Sequence, residues 1–516
     1  MRISWIAATL FTAGALITAP AGASSCESLS KLSLPNTAIT TAQVVPAGEF
    51  TAPAGRGPAP SFKDVPAFCR VQATLTPTAD SEIKIEVWLP ADGWNGKFQA
   101  VGNGGWAGRI SYGPLGAAVR RGYAAASTDT GHVGGSASFA LSHPEKLTDF
   151  AYRAVHETTV AAKAIIAVLY GNNPRYSYWN GCSTGGRQGL KEAQRFPADF
   201  DGIVAGAPAN YQTHLHVWSV AVAQAVHKEP GSYIPPEKYP AIHKAVLDAC
   251  DALDGLKDGL IQDPTRCHFD QKVLECHGED SAGCLTAPQV EAAREIYAPL
   301  KNSRTDEKIF PGMEPGSELG WAGLAGPKAA SVATDTFTYL VYKDPSWDWH
   351  IMNPDTDTAL ADKLDNGLIN ATDPNLKPFF SHKGKLIMYH GWSDQLIAPG
   401  NSVNYYNSVV ETSRGAGLRP ADSIRLFMVP GMAHCAGGEG PNTFDMVSAM
   451  EQWVEQGKAP EQIVASHSQN GVVDRSRPLC PYPQVARYKG NGSIDDAANF
   501  ACAGSEPRAA VSEPRE

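Results

Sequence analysis

Residues 176 to 186 read "YSYWNGCSTGG". An apolar, aromatic run ends on a glycine, a serine follows two residues later, and two more glycines come after it. The next residues, "GRQGLKEAQRF" (186 to 196), carry the apolar spacing of a helix. The whole is a strand, a sharp turn and a helix, with Ser183 at the turn. Gly181-Cys182-Ser183-Thr184-Gly185 fits G-x-S-x-G, the pattern in which flanking glycines allow a strained turn and a close helix-on-strand approach. The alternative is a structural turn serine, and the strand-to-helix context argues against it.

Working outward, "CRVQATLTP", "IKIEVWLP" and "GKFQAVGNGGWAG" read as strands bounded by Pro, Gly or Asn, and "GYAAASTDTG" as another. "TDFAYRAVHETTVAAKAIIAVLYG" has helical spacing, with Gly171 as its stop. "FDGIVAGAPA" is a further buried strand. Strands alternating with helices predict a parallel α/β sheet. From about Tyr211 to Pro378 the pattern changes to helical fragments rich in Pro, Asp and Trp, with four clustered cysteines. Strand-like runs return with "GKLIMYHGWSDQ" and "SIRLFMVPGMAHC". The expected organisation is an α/β domain over 24–210 and 379–505, interrupted by a lid at 211–378.

A serine hydroxyl needs a base to take its proton and a third group to orient that base. In the α/β-hydrolase fold the chain order is Ser, then Asp or Glu, then His, the last two on loops after sheet strands. Asp394 follows "KLIMYHGWS" and His434 follows "RLFMVPGMA", both at expected carboxyl ends of parallel strands. His390 precedes the acid inside a strand; His214 and His216 open the insertion and compete less well. The cysteines add a constraint. Cys182 precedes Ser183 and Cys435 follows His434, so a serine–histidine hydrogen bond would bring the two sulfurs together. A disulfide there would close a loop of over 250 residues and fix the serine–histidine distance; the alternative is two unrelated disulfides. Counting alone leaves the other connectivities open, although Cys250 with Cys267 and Cys276 with Cys284 would close short loops.

These residues carry a resemblance. Cys-Ser, a later Asp and His-Cys around a long insertion, with "GNGGWAG", "GCSTGGRQGL", "FDGIVAGAPA", "DPSWDW" and "PGMAHC", resemble the tannase and feruloyl esterase family. That family also holds bacterial mono(2-hydroxyethyl) terephthalate hydrolases. The resemblance spans nearly the whole mature chain. It implies an α/β-hydrolase fold with a lid between the nucleophile and acid segments, and the triad Ser183, Asp394, His434. It also implies disulfides Cys182–Cys435, Cys26–Cys69, Cys250–Cys267, Cys276–Cys284 and Cys480–Cys502. The implied activity is serine carboxylesterase on small aromatic acid esters such as ferulate or gallate. The terephthalate-monoester hydrolases carry Glu after the serine, where this chain has Thr184. An oxyanion hole needs backbone N–H groups; Thr184 is one expected donor, and Gly105, or Gly104, of "GNGGWAG" the other. The same glycines lack the GxGxxG form and the lysine of a phosphate-binding loop. Trp218, Phe337, Tyr339 and Trp347 of the insertion are candidate substrate contacts.

"CDALDGLKDGLIQDPTRC" places Asp251, Asp254 and Asp258 in one Gly-containing loop. The spacing is not that of an EF-hand, and the residues alone suit either a hard cation or a series of Asp-Gly turns. The resemblance implies Ca2+, with Leu256 and Leu260 adding carbonyl oxygens, in a structural role. No CxxC pair or His/Cys cluster suggests zinc, and no organic cofactor is expected.

The chain has 516 residues, a net charge of −10 and no basic runs, which argues against nucleic acid or an anionic membrane as partner. Residues 1–23 read as a signal peptide: an arginine, a short apolar run, then Ala21-Gly22-Ala23. All ten cysteines lie beyond it, so a secreted or periplasmic, disulfide-bonded protein is expected. Residues 506–516 read as a disordered tail. The reading from another class is a non-catalytic, calcium-stabilised binding protein on a hydrolase scaffold; the intact Ser, Asp and His argue against it.

Overall fold

The structure, a computed structural model, describes residues 24–53, 60–106 and 108–504. The expected leader (1–23) and tail (506–516) lie outside them. Strands β1 (Thr37–Val45), β2 (Phe68–Leu75) and β3 (Ile83–Pro90) follow one another in the chain and pair antiparallel. Next come β4 (Lys97–Val101), α1 (Tyr112–Arg120), β5 (Ala124–Thr128), a short α2 (Pro144–Thr148), α3 (Ala154–Tyr170), β6 (Tyr176–Cys182), α4 (Thr184–Arg195) and β7 (Gly202–Gly206). Gly171 ends α3 in the left-handed conformation, φ 73°.

After β7 the chain leaves the sheet for α5 (Gln212–Val226), α6 (Tyr239–Cys250), α7 (Ala287–Tyr297), the two-stranded β8 (Leu300–Lys301) and β9 (Lys308–Phe310), α8 (Ser331–Asp335), α9 (Pro354–Asp365) and α10 (Lys377–Ser381). It returns with β10 (Lys385–Gly391), α11 (Gly400–Gly415), β11 (Ile424–Val429) and α12 (Met446–Gln456). Two hairpins follow: β12 (Ile463–Gln469) with β13 (Val472–Leu479), and β14 (Gln484–Tyr488) with β15 (Phe500–Gly504).

The nine-stranded sheet has the order β1-β2-β3-β5-β4-β6-β7-β10-β11. It is parallel from β5 to β11 and antiparallel from β1 to β5. The expected all-parallel sheet is thus corrected at one end. Among the described residues no helix stands between the first strands to carry a crossover, and neighbouring strands run in opposite directions. Their alternation places Ile83, Ile85, Val87 and Leu89 in the cluster on one face, while Trp88 joins the cluster on the other. This is an α/β-hydrolase fold with a helical lid. The lid has an apolar core of its own around Trp218, Phe310, Trp321 and Phe337.

Two side chains of α4 fasten the lid to the sheet domain. Arg187, wholly buried, donates to the carbonyls of Ala151 (2.9 Å) and Ile369 (3.1 Å). Lys191 donates to those of Gly367 (3.0 Å) and Asn370. Ile369, Gly367 and Asn370 form the segment by which the lid returns to the sheet.

Candidate active site

Ser183 sits between the last residue of β6 and the first of α4 at φ 64°, ψ −123°. A non-glycine residue in that region is held there by its surroundings. Its N–H donates to Gly206 O (2.9 Å), and its carbonyl accepts from Arg187 N (3.0 Å) and Ala209 N (3.1 Å). Close approach explains the glycines: a Cβ on Gly102 would stand 2.5 Å from the Cα of Gly185, and one on Gly186 only 2.4 Å from Gly206 O.

The loop after β4 lies against the start of α4. Gly185 N donates to Asn103 O (2.8 Å), and the Thr184 hydroxyl donates to Gly105 O (2.9 Å). Asn103 is locked in turn: its N–H donates to Gln188 Oε1 (3.0 Å) and its side-chain amide to the carbonyls of Thr128 and Arg109. Thr184 is the first residue of its helix, so its N–H has no intrahelical acceptor. Gly105 adopts φ 55°.

Asp394 and His434 come from the loops after β10 and β11. The Asp394 carboxylate is fully buried; Oδ2 accepts from His434 Nδ1 (2.7 Å) and Oδ1 from the N–H groups of Leu396 (2.8 Å) and Ile397 (2.9 Å). Burial alone would raise this carboxyl. The His434 charge and the hydrogen bonds from His390 and His434 outweigh it and hold Asp394 well below the usual carboxylate range. Burial likewise works against the His434 imidazolium, and Asp394 outweighs it, so His434 titrates above an ordinary histidine. Its other nitrogen, Nε2, lies 3.6 Å from Cys435 Sγ.

Cys435 is bonded to Cys182, with Cα atoms 6.0 Å apart. The ring nitrogen not engaged by Asp394 therefore faces the disulfide whose other half adjoins Ser183. The remaining cysteines pair as Cys26–Cys69, Cys250–Cys267, Cys276–Cys284 and Cys480–Cys502.

Several supporting residues were not foreseen. His390, buried in β10, approaches Asp394 Oδ2 through Nε2 (3.0 Å) and Ser402 Oγ through Nδ1 (2.7 Å), bracing the carboxylate from behind. Gln395 Oε1 accepts from His434 N (3.2 Å). His214 and His216 lie elsewhere, on Asp362 (2.9 Å) and Thr336 Oγ1 (2.6 Å).

A cavity of about 200 Å3 lies between the lid and the loops that carry Asp394 and His434, lined by Leu260, Gly316, Ser393, Gln395, Ala433 and Glu439 among others. His243 of α6 bridges its wall: Nδ1 donates to the buried Glu318 (2.6 Å) and Nε2 to Glu439 (2.7 Å), on the same loop as His434. Tyr297 donates to the other oxygen of Glu318 (2.7 Å). Burial opposes the charge on His243, but the two carboxylates raise it to about 9. The stabilisation from this bridge is then fully present below the ordinary imidazole value of about 6.5 and lost as pH rises through about 9. Melting temperature between pH 6.5 and 10 should fall more steeply for the native chain than for His243→Gln; parallel curves would show the bridge to be inert.

The candidate substrate aromatics divide. Trp218 packs on Phe310 and Phe337 stacks on Trp347, with Trp218 and Phe337 wholly buried in the lid core. Trp347 stacks also on Tyr342. Trp218 and Phe337 thus act as packing in the lid core, and Trp347 stays half-buried beside Phe337. Tyr339, half-buried, joins the cluster around Trp106 beside the "GNGGW" loop.

The aspartate loop lies in the lid, bracketed by Cys250–Cys267. Asp251 accepts from Asp258 N (3.3 Å) and Gly259 N (3.0 Å), Asp254 from Leu256 N (2.9 Å), and Asp258 from Leu260 N (3.1 Å). Arg477 pairs with the other oxygen of Asp258, and Arg475 donates to its carbonyl (2.8 Å). Burial, together with Asp258 and Asp251, pushes the Asp254 carboxyl up. The donors the loop offers are all oxygens, the kind a hard cation takes, with Arg477 and Arg475 set against Asp258.

A serine on a strained strand-to-helix turn, beside a buried Asp–His pair on the neighbouring loops, is the arrangement of α/β-hydrolase enzymes that cleave carboxylic esters. The sequence model described as "Tannase and feruloyl esterase" matches residues 69–503, and the chain belongs to that family. It is 42% identical to an uncharacterized esterase of Xanthomonas campestris pv. campestris, over 97% of this chain and 95% of the relative. It is 36% identical to a probable feruloyl esterase B-2 of Aspergillus terreus, over 92% and 93%. Among solved structures, feruloyl esterase B from Aspergillus oryzae superposes with a TM-score of 0.87 at 33% identity, covering 93% of this chain and 99% of that one. Tannin acyl hydrolase from Aspergillus niger superposes with a TM-score of 0.74 at 25% identity, covering 92% of each.

Proposed function

We propose that the protein is an exported serine esterase for small phenolic acid esters, working through an acyl-enzyme. The observation that carries this is the His434 ring, held through Nδ1 by a buried carboxylate and presenting Nε2 toward the disulfide next to Ser183. Ser183 Oγ attacks the ester carbonyl carbon and passes its proton to His434 Nε2. The oxyanion is met by the N–H of Thr184 and that of Gly105 or Gly104. Collapse expels the alcohol, which takes the proton from His434. A water molecule, deprotonated by His434, then attacks the acyl carbon, and His434 returns that proton to Ser183 Oγ as the acid leaves. Asp394 keeps the imidazole in the working tautomer throughout.

The named relatives support ferulate or gallate esters over terephthalate monoesters as substrates. Initial rates on methyl ferulate, methyl gallate and mono(2-hydroxyethyl) terephthalate test this. Turnover of the last alone would overturn the phenolic assignment, and turnover of none would overturn the aromatic one. Because the base must be neutral, kcat/KM should fall with one proton as pH drops through the His434 ionisation, with its midpoint above about 6.5. A midpoint at or below that value would contradict the coupling to Asp394.

Five disulfides are at home in an oxidising compartment, and residues 1–23 have the composition of an export leader, which together support a periplasmic or extracellular location. Ca2+ would be held by the carboxylates of Asp251, Asp254 and Asp258 with the carbonyls of Leu256 and Leu260, neutralising the loop and bracing the lid. A chelator, or Asp254→Asn, should then lower the melting temperature, by up to about 3 kcal/mol in stability at saturating calcium. Activity per folded molecule at 25 °C should stay unchanged. No response of the melt to added Ca2+ would remove the ion.

A further inference from the structure

On the sheet domain, away from the lid, three segments bring together His156 of α3, Glu192 of α4 and Asp199 of the turn before β7. Their donor atoms all lie within 4.8 Å of one another. Glu192 is 1% exposed, no N–H or hydroxyl group donates to either of its carboxylate oxygens, and the carboxyl group it faces is that of Asp199. Two carboxyl groups face to face in a buried place cannot both stand charged: either a proton or a cation has to lie between them. The neighbours of Glu192 do not supply the missing donor. His156 Nδ1 is engaged with Asp199 Oδ2 (2.7 Å), and Lys163 Nζ donates to the Asp199 carbonyl (2.5 Å), not to a carboxylate.

We propose that His156, Glu192 and Asp199 form a binding site for a divalent transition-metal cation, of which Zn2+ is the best fit. The donors are one imidazole nitrogen and two carboxylates, a set suited to zinc and its neighbours. Donors about 2.1 Å from a tetrahedral ion stand roughly 3.4 Å apart, so the His156–Asp199 pair, now at 2.7 Å, would open slightly to admit it while the set as a whole stays within its present 4.8 Å. The cation takes the place of the proton between Nδ1 and Oδ2, and Nε2 carries the remaining imidazole proton. The ring is already oriented, stacked on Phe196 with centroids 3.8 Å apart and planes 9° from parallel. The side chains of His156 and Asp199 are 27% and 16% exposed, which gives the ion an entry and leaves room for water ligands. Glu192 lies nine residues beyond Ser183 on the same helix, about 13 Å along its axis. The ion is therefore a clamp joining α3, α4 and the approach to β7, and takes no part in ester cleavage. His156 and Asp199 are 43 residues apart, so no spacing rule in the sequence would have grouped them.

The test uses the full-length, untagged protein stripped of metal. Zn2+ is titrated by calorimetry, and Co2+ is used to read the coordination spectrum. One equivalent of Zn2+ should bind and raise the melting temperature. Affinity should fall at least tenfold in His156→Ala and in Glu192→Gln, and persist in Asp254→Asn, which separates this site from the aspartate loop. His156, being partly exposed, keeps the test available if the Glu192 variant does not fold. Absence of Zn2+ binding, or binding unchanged in His156→Ala, would overturn the proposal. So would a Glu192→Gln protein that is more stable than the parent and as indifferent to Zn2+, since Glu192 would then simply share a proton with Asp199.

Discussion

Replacing Ser183 by alanine is expected to lower kcat for ester hydrolysis by roughly 10^5- to 10^6-fold while the protein stays folded. The magnitude follows from the unit character of the three residues: without the nucleophile, the base and its carboxylate have nothing to activate. What remains is binding and oxyanion stabilisation, worth about 10^3 to 10^4 over water. The fold should survive because the hydrogen bonds that fix this turn use the backbone of Ser183, not its hydroxyl. Alanine also tolerates φ 64° about as poorly as serine does, so the strain of the turn changes little. Three measurements check it: turnover, covalent labelling by an organophosphonate, and a thermal melt. A variant that retains more than a percent of activity, or still labels at this position, would mean that another group does the chemistry.

The second large effect concerns the bond between Cys182 and Cys435. The double variant to serine should lose about 5 kcal/mol from chain entropy, because the closed loop spans 253 residues. Its activity should fall as well, on the order of 10^2-fold per ångström of misplacement between serine and base. The control is the pair Cys276 and Cys284, separated by only 8 residues. Removing it should cost about 2.5 kcal/mol on the same reasoning and leave kcat alone. Urea midpoints and rates measured side by side separate the two roles. Equal losses of stability with equal, small changes in rate would reduce the catalytic disulfide to an ordinary staple.

The elements around the site were legible because each carries a local signature. The serine lies between strand and helix periodicities, Asp394 and His434 follow apolar runs in a fixed chain order, and two cysteines adjoin the catalytic pair. The antiparallel edge was less so: β1 to β3 have the alternation of strands, but nothing in alternation states direction. His390 behind Asp394 and the His243 bridge from lid to histidine loop depend on contacts across 4 and 196 positions. The first could have been suspected from its place in the same strand; the second could not. Trp218 and Phe337 mislead for the opposite reason, since a large aromatic in an insertion looks the same whether it meets ligand or neighbour.

Arg187 and Lys191 connect the nucleophile's own helix to the strand of chain that closes the lid. With this fastening, the return segment of the lid and the helix that follows Ser183 share one set of buried hydrogen bonds, so a change that loosens the roof also reaches the floor it stands on.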